Sequence, residues 1–362
     1  MTGTTLLSAE PDEQLWDFGC NDANPPAALL LESPGSVSLG LCLLNNRSPF
    51  LAMRKIVAEA TVRQLSRILI IVAGCFLISG SIKVSPSSAG YREGARYIRV
   101  MSFNIRYDEP RDKENAWPNR KELVASMIRF HQADLVGVQE ALERQMRDLE
   151  KLLPDYGWVG VGRDDGKAGG EFSAIMYRKA RFSRVESSTF WLSETPDVPG
   201  KGWDADYPRI VTWLKIKDTT TGKLFFHFNT HFDHRGVQAR EESAKLLLKR
   251  ISTIAGRLPV VVTGDFNFNE SSIGYQILTG KILEKEIGSQ SSLGDARYLS
   301  RHGHHGPTST FNEFKALIPD MKIDYVLVKG NVRVLQHGAL SDTWDGRFPS
   351  DHLPVLAEIA IE

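Results

Sequence analysis

The stretch Val260-Val261-Val262-Thr263-Gly264-Asp265-Phe266-Asn267 decides the reading of this chain. Three β-branched apolar residues in a row predict a buried strand. The chain is expected to turn at Gly264 and to present Asp265 and Asn267 from the strand end. Residues i and i+2 of an extended segment share a face, so the two are placed to address one ligand. Asp and Asn are also ordinary turn residues. The pair gains weight only from what surrounds it.

The same grammar, an apolar strand ending in polar groups, recurs downstream of residue 95. It appears at Ser102-Phe103-Asn104-Ile105-Arg106, at Val138-Gln139-Glu140, at Phe228-Asn229-Thr230-His231-Phe232-Asp233-His234, and at Ser350-Asp351-His352-Leu353-Pro354. Asp324 sits inside Lys322-Ile323-Asp324-Tyr325-Val326-Leu327-Val328. A carboxylate buried there without a partner is costly, so a histidine or a hydrogen-bond donor is expected beside it. Each position also has an ordinary reading: a turn for Asn104, a helix start for Glu140, a core histidine for His231, a cap for Asp351. The set carries the argument. Oxygen donors without thiols suit Mg²⁺ or Mn²⁺, and neighbouring histidines suit phosphate binding or proton transfer.

Composition narrows the classes. The chain has 362 residues, with 44 Lys and Arg against 44 Asp and Glu, so no global field steers it towards a polyanion. Cys20, Cys42 and Cys75 all lie in the first quarter. The remainder therefore has no disulfide framework, thiolate metal site or cysteine nucleophile. No His-Glu-x-x-His pattern points to zinc, and no Gly-rich nucleotide motif opens a helix.

The N-terminal part divides in two. Residues 1–52 show no amphipathic period and read as disordered, or as an extension from an upstream start. Residues 53–94 form a signal or anchor segment with its linker. Arg54, Lys55, Arg63 and Arg67 precede the apolar run Ile68 to Ile78, which is too short to span a bilayer as a helix. Ser87-Ser88-Ala89 offers a small-residue cleavage site, and Val72-Ala73-Gly74-Cys75 resembles a lipobox. Export is expected, to the periplasm or outside or with membrane attachment through this segment; the contrary reading is a buried helix of a cytosolic protein.

From 95 to 362 the pattern is one α/β domain. Strands are expected at 97–103, 135–138, 172–177, 182–191, 210–216, 224–230, 259–263, 323–328, 332–336 and 354–361. Helices are expected at 120–130, 142–153 and 237–254, the last with an apolar stripe through Ala244, Leu247, Leu248 and Ile251. Loops 162–170 and 288–310, rich in Gly and Ser, read as candidate mobile segments. Many strands with few helices suggest two packed sheets flanked by helices.

Phe103-Asn104-Ile105-Arg106, Val138-Gln139-Glu140, Asn229-Thr230-His231, Gly264-Asp265-Phe266-Asn267, Ile323-Asp324-Tyr325 and Ser350-Asp351-His352-Leu353-Pro354 together resemble the endonuclease/exonuclease/phosphatase superfamily, in order and in spacing. The resemblance covers essentially all of 95–362. Trp191-Leu192-Ser193-Glu194-Thr195-Pro196 and Pro208-Arg209-Ile210-Val211-Thr212-Trp213 look like its exported bacterial, deadenylase- and exonuclease-like branch. The resemblance implies a four-layered α/β sandwich of two packed mixed sheets flanked by helices. It implies a Mg²⁺-dependent phosphoester hydrolase (Mn²⁺ as substitute), acting by in-line attack of water. Glu140 would hold the metal with Asn104 and Asp351. Asp265 would activate the water, with Asn267 beside it; Asp324 would pair with His352, and His231 would assist the transition state. Where some members carry an Asp, this chain has Arg106, which with Arg209, His234 and Arg240 is a candidate substrate contact. The expected activity is that of a nuclease or 3′–5′ exonuclease-like phosphodiesterase, working as a monomer. The alternatives are a phosphatase or phospholipid phosphodiesterase (inositol-phosphate, sugar-phosphate or sphingomyelinase type) and, in another class, an inactive phosphate-binding module.

Overall fold

The computed structural model describes residues 97–282 and 292–362. The expected extension at 1–52 and signal-like segment at 53–94, with all three cysteines, lie outside the described residues. Among the described residues, no helix is long and apolar enough to cross a membrane.

Two sheets form the centre. The first has seven strands in the order β10 (His304–His305), β12 (Val332–Ala339), β13 (Val355–Ile361), β1 (Ile98–Asn104), β2 (Leu135–Ala141), β4 (Phe172–Arg178) and β3 (Tyr156–Val159). The second has six in the order β5 (Phe182–Trp191), β6 (Ile210–Asp218), β7 (Leu224–His231), β8 (Val260–Asp265), β11 (Asp324–Lys329) and β9 (Gly294–Asp295). Each sheet has one parallel pair at its heart joined through a helix. β1 and β2 are connected through α1 (Lys121–Phe130), and β7 and β8 through α3 (Val237–Ala255). Parallel neighbours need such a crossover. The strands flanking these pairs run antiparallel to them.

Three apolar clusters give the layers. α1 and α2 (Glu143–Leu152) bury Val124, Met127, Ile128, Met146 and Leu149 against one sheet. α3 buries Ala244, Leu247, Leu248 and Ile251 against the other, beside α4 (Ile273–Leu278). Between the sheets lie Val100, Leu135, Ile175, Leu214, Val261, Val326 and Ala357. The result is the expected four-layered sandwich.

The core between the sheets is not wholly apolar. Asn229 Oδ1 accepts from Gln139 Nε2 at 2.7 Å and from Thr263 Oγ1 at 2.9 Å. Its amide donates to the carbonyls of Val138 and Ala174, both at 2.9 Å. His227 Nε2 lies 2.8 Å from the Thr263 hydroxyl. Gly137 makes the seam possible: a Cβ there would stand 1.9 Å from Thr263 Oγ1 and 2.4 Å from Asn229 Oδ1.

Some local expectations change. β8 does not turn at Gly264; it continues to Asp265, with Gly264 paired to Tyr325. The turn falls at Asn267, whose φ is 51°. β2 extends past Val138 through Gln139 and Glu140, with an irregular register there and φ 64° at Glu140. The short elements β3, β9, β10, α4 and α5 (Ala296–Leu299) lack a periodic signal, being too brief to show one. Loop 162–170 is closely hydrogen-bonded: the Asp165 carboxylate accepts from the backbone of Lys167 at 2.7 Å and of Gly169 at 2.9 Å.

Candidate active site

The strand directions explain where the polar residues meet. At one end of the sandwich, β1, β2, β7 and β8 terminate, supplying Asn104, Glu140, His231 and Asp265. Their antiparallel neighbours begin there. Asp324 opens β11, Ser350 to Pro354 precede β13, Arg209 precedes β6, and Glu171 precedes β4.

The centre is a carboxylate cluster bridged by an amide. Asn104 Nδ2 lies 3.0 Å from both Glu140 Oε1 and Asp265 Oδ2. Asn104 Oδ1 accepts from the Arg106 backbone at 2.9 Å, so the amide group faces the carboxylates and its oxygen is already engaged. Glu140 Oε2 accepts from the Tyr107 backbone at 3.1 Å. Asp265 Oδ1 accepts from the Asn267 backbone at 2.9 Å. His352 Nδ1 is 2.9 Å from Asp324 Oδ2, and its Nε2 is 3.8 Å from Asp265 Oδ2. The buried acid inside β11 thus has the histidine beside it.

These contacts set the charge states. Burial, reinforced by the Asp324 charge, pushes the Asp265 carboxyl up to about 7. Burial works against charging His352, but Asp324 and Asp265 outweigh it and hold the imidazolium well above the usual histidine range. Burial also opposes the Glu140 carboxylate, yet His352, Arg106, Asn104 and the Tyr107 N–H hold it below the usual carboxylate range.

His231 forms the other wall. Asn267 Nδ2 is 3.0 Å from His231 Nε2 and also donates to the Phe232 carbonyl. Burial pushes the imidazole well below its usual pKa, so the ring is neutral. A neutral ring that accepts at Nε2 carries its proton at Nδ1. That nitrogen faces Glu171 Oε2 at 3.8 Å. Burial pushes Glu171 up to about 7, although Arg163 Nη1 donates to it at 2.6 Å.

Not every candidate side chain reaches the cluster. Arg106 donates to Asp112 at 3.0 and 3.2 Å and stands 3.8 Å from Asp351. Asp351 is buried, with its Oδ1 3.2 Å from the Ser350 hydroxyl. Arg209 makes a buried pair with Asp233 at 3.3 Å and lies 3.1 Å from His234 Nδ1. His234 stacks on Tyr207. Arg240 donates to the Asp233 carbonyl at 3.0 Å.

Two contributors escape a sequence reading. Glu171 stands before its strand, at an end that only the antiparallel topology brings to the site. Arg120, fully buried, donates to the carbonyls of Ile105, of Arg106 at 2.8 Å and of Pro349 at 3.2 Å. It ties the segment after β1 to the segment before β13. Three residues around the cluster hold left-handed backbone, Arg106 (φ 56°), Glu140 (φ 64°) and Asn267 (φ 51°). Such conformations cost energy and persist where packing over-determines them.

The donor set fits a divalent cation. Glu140, Asp265 and His352 each bring a ligand atom to within 4.8 Å of the others. Crowded buried carboxylates favour a cation among them. The structure gathers Glu140 with Asp265 and His352, whereas Asn104 faces the group with its NH₂ and Asp351 stands outside it.

Comparisons with known proteins give the family. The model of the Endonuclease/Exonuclease/phosphatase family matches residues 101–352. An endonuclease/exonuclease/phosphatase from Bacteroides vulgatus is 40% identical, with TM-score 0.68, covering 74% of this chain and 99% of that one. A mannosyl-6-phosphatase from Bacteroides thetaiotaomicron is 37% identical, with TM-score 0.67, covering 73% of this chain and 99% of that one. The CCR4-Not complex 3′–5′-exoribonuclease subunit Ccr4 of Emericella nidulans is 20% identical over 73% of this chain and 52% of its own. An uncharacterized protein of Acanthamoeba polyphaga mimivirus is 30% identical over 42% of this chain and 60% of its own length, so the chain spans under two thirds of these curated relatives.

Proposed function

The chain belongs to the endonuclease/exonuclease/phosphatase family, and on that premise we propose that it is a divalent-metal-dependent phosphatase acting on a phosphate ester of a sugar. The observation that carries this reading is the pairing of cations around the site. Arg106 is held by Asp112, Arg163 by Glu171, Arg209 by Asp233 and Arg235 by Asp206. A nucleic-acid strand is bound through phosphates facing unneutralised Lys and Arg. Here the surroundings are balanced, and the acids offer acceptors to sugar hydroxyls. The likeness to a mannosyl-6-phosphatase supports the same choice.

The chemistry follows from the side chains. A bound Mg²⁺ or Mn²⁺ would supply positive charge against the developing charge on phosphate. Glu140 would hold it, and Asn104 would join only if its amide turned over. Asp265, with a carboxyl near neutrality, is suited to take a proton from the attacking water. Asn267 fixes that carboxylate through its backbone and His231 through its amide. The His352 imidazolium donates to a phosphate oxygen, oriented by Asp324. Arg209 Nη1, without a hydrogen-bond partner among the described residues, is a further donor for an anionic oxygen. His231, on the wall beside Asp265, would assist the departing oxygen.

The test is a substrate panel with Mg²⁺: a hexose 6-phosphate, bis(p-nitrophenyl) phosphate and single-stranded RNA. Phosphate release from the sugar ester is expected to have the highest kcat/KM and to stop with EDTA. Full activity in EDTA would refute the metal; RNA as the best substrate would replace the sugar ester. The Ccr4 relatives make the exonuclease-like phosphodiesterase the second reading. Export through the N-terminal segment remains part of the proposal, tested by fractionating cells that express the full chain.

A further inference from the structure

A cavity is lined by the edge strands β3 and β5, with Trp158 and Val159 on one and Ser187, Thr189 and Trp191 on the other. Its volume is about 510 Å³, within the range of small-molecule sites. The residues that line it break the pattern of the core. On β6, Leu214 and Ile216 face the other sheet and belong to its core. Thr212, on the same face and nearer the catalytic end, puts a hydroxyl there instead, 3.1 Å from the Thr189 hydroxyl of β5. Ser187, opposite Leu214 on β5, continues the hydroxyl row. Polar residues on a core face signal function or strain.

The cavity touches the catalytic wall through Trp191. The indole Nε1 donates to the Arg163 carbonyl at 2.7 Å, and Arg163 is the partner of Glu171 beside His231. Loop 162–170 closes over the same indole at Gly166. Its φ is 69°, and a Cβ there would stand 3.1 Å from the Trp191 ring. One aromatic residue and one loop thus separate this cavity from the catalytic cluster.

We infer that this cavity is a carbohydrate-binding subsite, which takes further sugar residues of a phosphorylated glycan whose phosphate enters the catalytic cluster. The link to catalysis rests on the sugar-phosphate reading above. Hydroxyls that both donate and accept suit a polyol, as does an aromatic wall. A phosphodiester strand needs a row of cations, and among the described residues the only charged side chain lining the cavity is Arg184. The substrate would thus be an oligosaccharide carrying a phosphate, rather than a free sugar phosphate alone.

The test compares a hexose 6-phosphate with a trisaccharide bearing the same terminal 6-phosphate. Wild type is expected to turn over the trisaccharide with a kcat/KM at least about tenfold higher, as substrate contacts remote from the reacting group allow. Ser187→Trp fills the cavity. It is expected to bring the trisaccharide down to the hexose value and to leave the hexose unchanged within about twofold. Equal wild-type values, or an equal loss on both substrates, would overturn the inference. If Ser187→Trp does not fold, Thr189→Val removes one hydroxyl without changing shape and is expected to cost the trisaccharide alone about threefold. Calorimetry with the unphosphorylated trisaccharide reads the cavity without catalysis: millimolar binding to wild type, lost in Ser187→Trp, upholds it, and no binding overturns it. Hydrolysis of RNA but of neither sugar ester would overturn the catalytic reading instead.

Discussion

His227 and His231 lie on the same face of the same strand, four residues apart, and differ in what surrounds them. His227 sits between the sheets, its Nε2 2.8 Å from the Thr263 hydroxyl and above the Asn229 seam, among uncharged partners. His231 sits at the strand end, with Asp265 Oδ2 3.4 Å from its Nε2 and Glu171 Oε2 3.8 Å from its Nδ1. Both rings are buried and both are held neutral by that burial. Burial and depressed basicity therefore do not separate a structural histidine from a functional one. The neighbours do: uncharged hydrogen-bonding groups mark the seam, and crowded carboxyl groups mark the site.

The sharpest way to break this contrast is to remove charge from the crowded end. Asp265→Asn, Glu140→Gln and His352→Ala are each expected to lower kcat at least about a hundredfold, as loss of acid–base or charge-stabilising groups does. Asp265→Asn is also expected to leave Tm unchanged or raise it when no metal is added. The folded state raises the Asp265 carboxyl to about 7 from a reference of 3.8, so ionising it near neutrality opposes folding. Parallel losses of kcat and Tm would mean that the carboxylate is structural.

The seam is expected to respond in the opposite way. Gly137→Ala drives a methyl into Thr263 and Asn229 and is expected to cost about 2 kcal/mol of stability, the range of overpacked cores. The folded fraction should keep its kcat. Urea unfolding together with active-site titration checks both. A kcat loss with unchanged stability would show that the seam belongs to the catalytic machinery.

Much of this division was legible in the sequence, and the illegible part has a physical cause. The motif ends at Asn104, Glu140, His231, Asp265 and Asp351-His352 follow or precede strong apolar runs, and those runs became strands close to where periodicity put them. Glu171 did not stand out because its strand enters the site instead of leaving it. Only pairing β4 antiparallel to β2 brings it to His231. Asn229 stood out as part of the His231 motif, but its role with Thr263 as a link between the sheets was not legible, since that seam depends on the register of β7 against β8 and on the space left by Gly137. The expectation that Asp265 and Asn267 share a strand face was replaced by a turn in which one caps the other.

A smaller effect separates the two histidines by pH. Burial lowers His227 from 6.5 to about 3 in the folded chain. Above pH 6.5 neither state binds the proton and the stability is full. Between pH 6.5 and 3 the unfolded chain takes up a proton that the folded chain refuses, so stability falls with pH, by at most about 1.4 kcal/mol per unit. His227→Gln is expected to remove that share of the acid slope in urea melts at pH 7 and pH 5 without added metal. An unchanged slope would show that the ring is already charged in the folded protein.

The smallest effect concerns two arginines that meet the same residue. Arg209 and Arg240 both touch Asp233, one at its carboxylate and one at its carbonyl. Arg209 is buried and keeps Nη1 without a partner among the described residues; Arg240 stands on α3 with a backbone carbonyl as its partner. Sequence reasoning put both on the substrate. The geometry divides them, because a guanidinium occupied by the loop it braces has less to offer an incoming anion. Arg240→Ala is therefore expected to change kcat and KM for a hexose 6-phosphate less than about threefold, in keeping with a partly exposed contact. Arg209→Lys, which keeps the charge but loses the planar fork, is expected to raise KM more than Arg240→Ala does. The reverse order would move the anion-binding wall from β6 to α3.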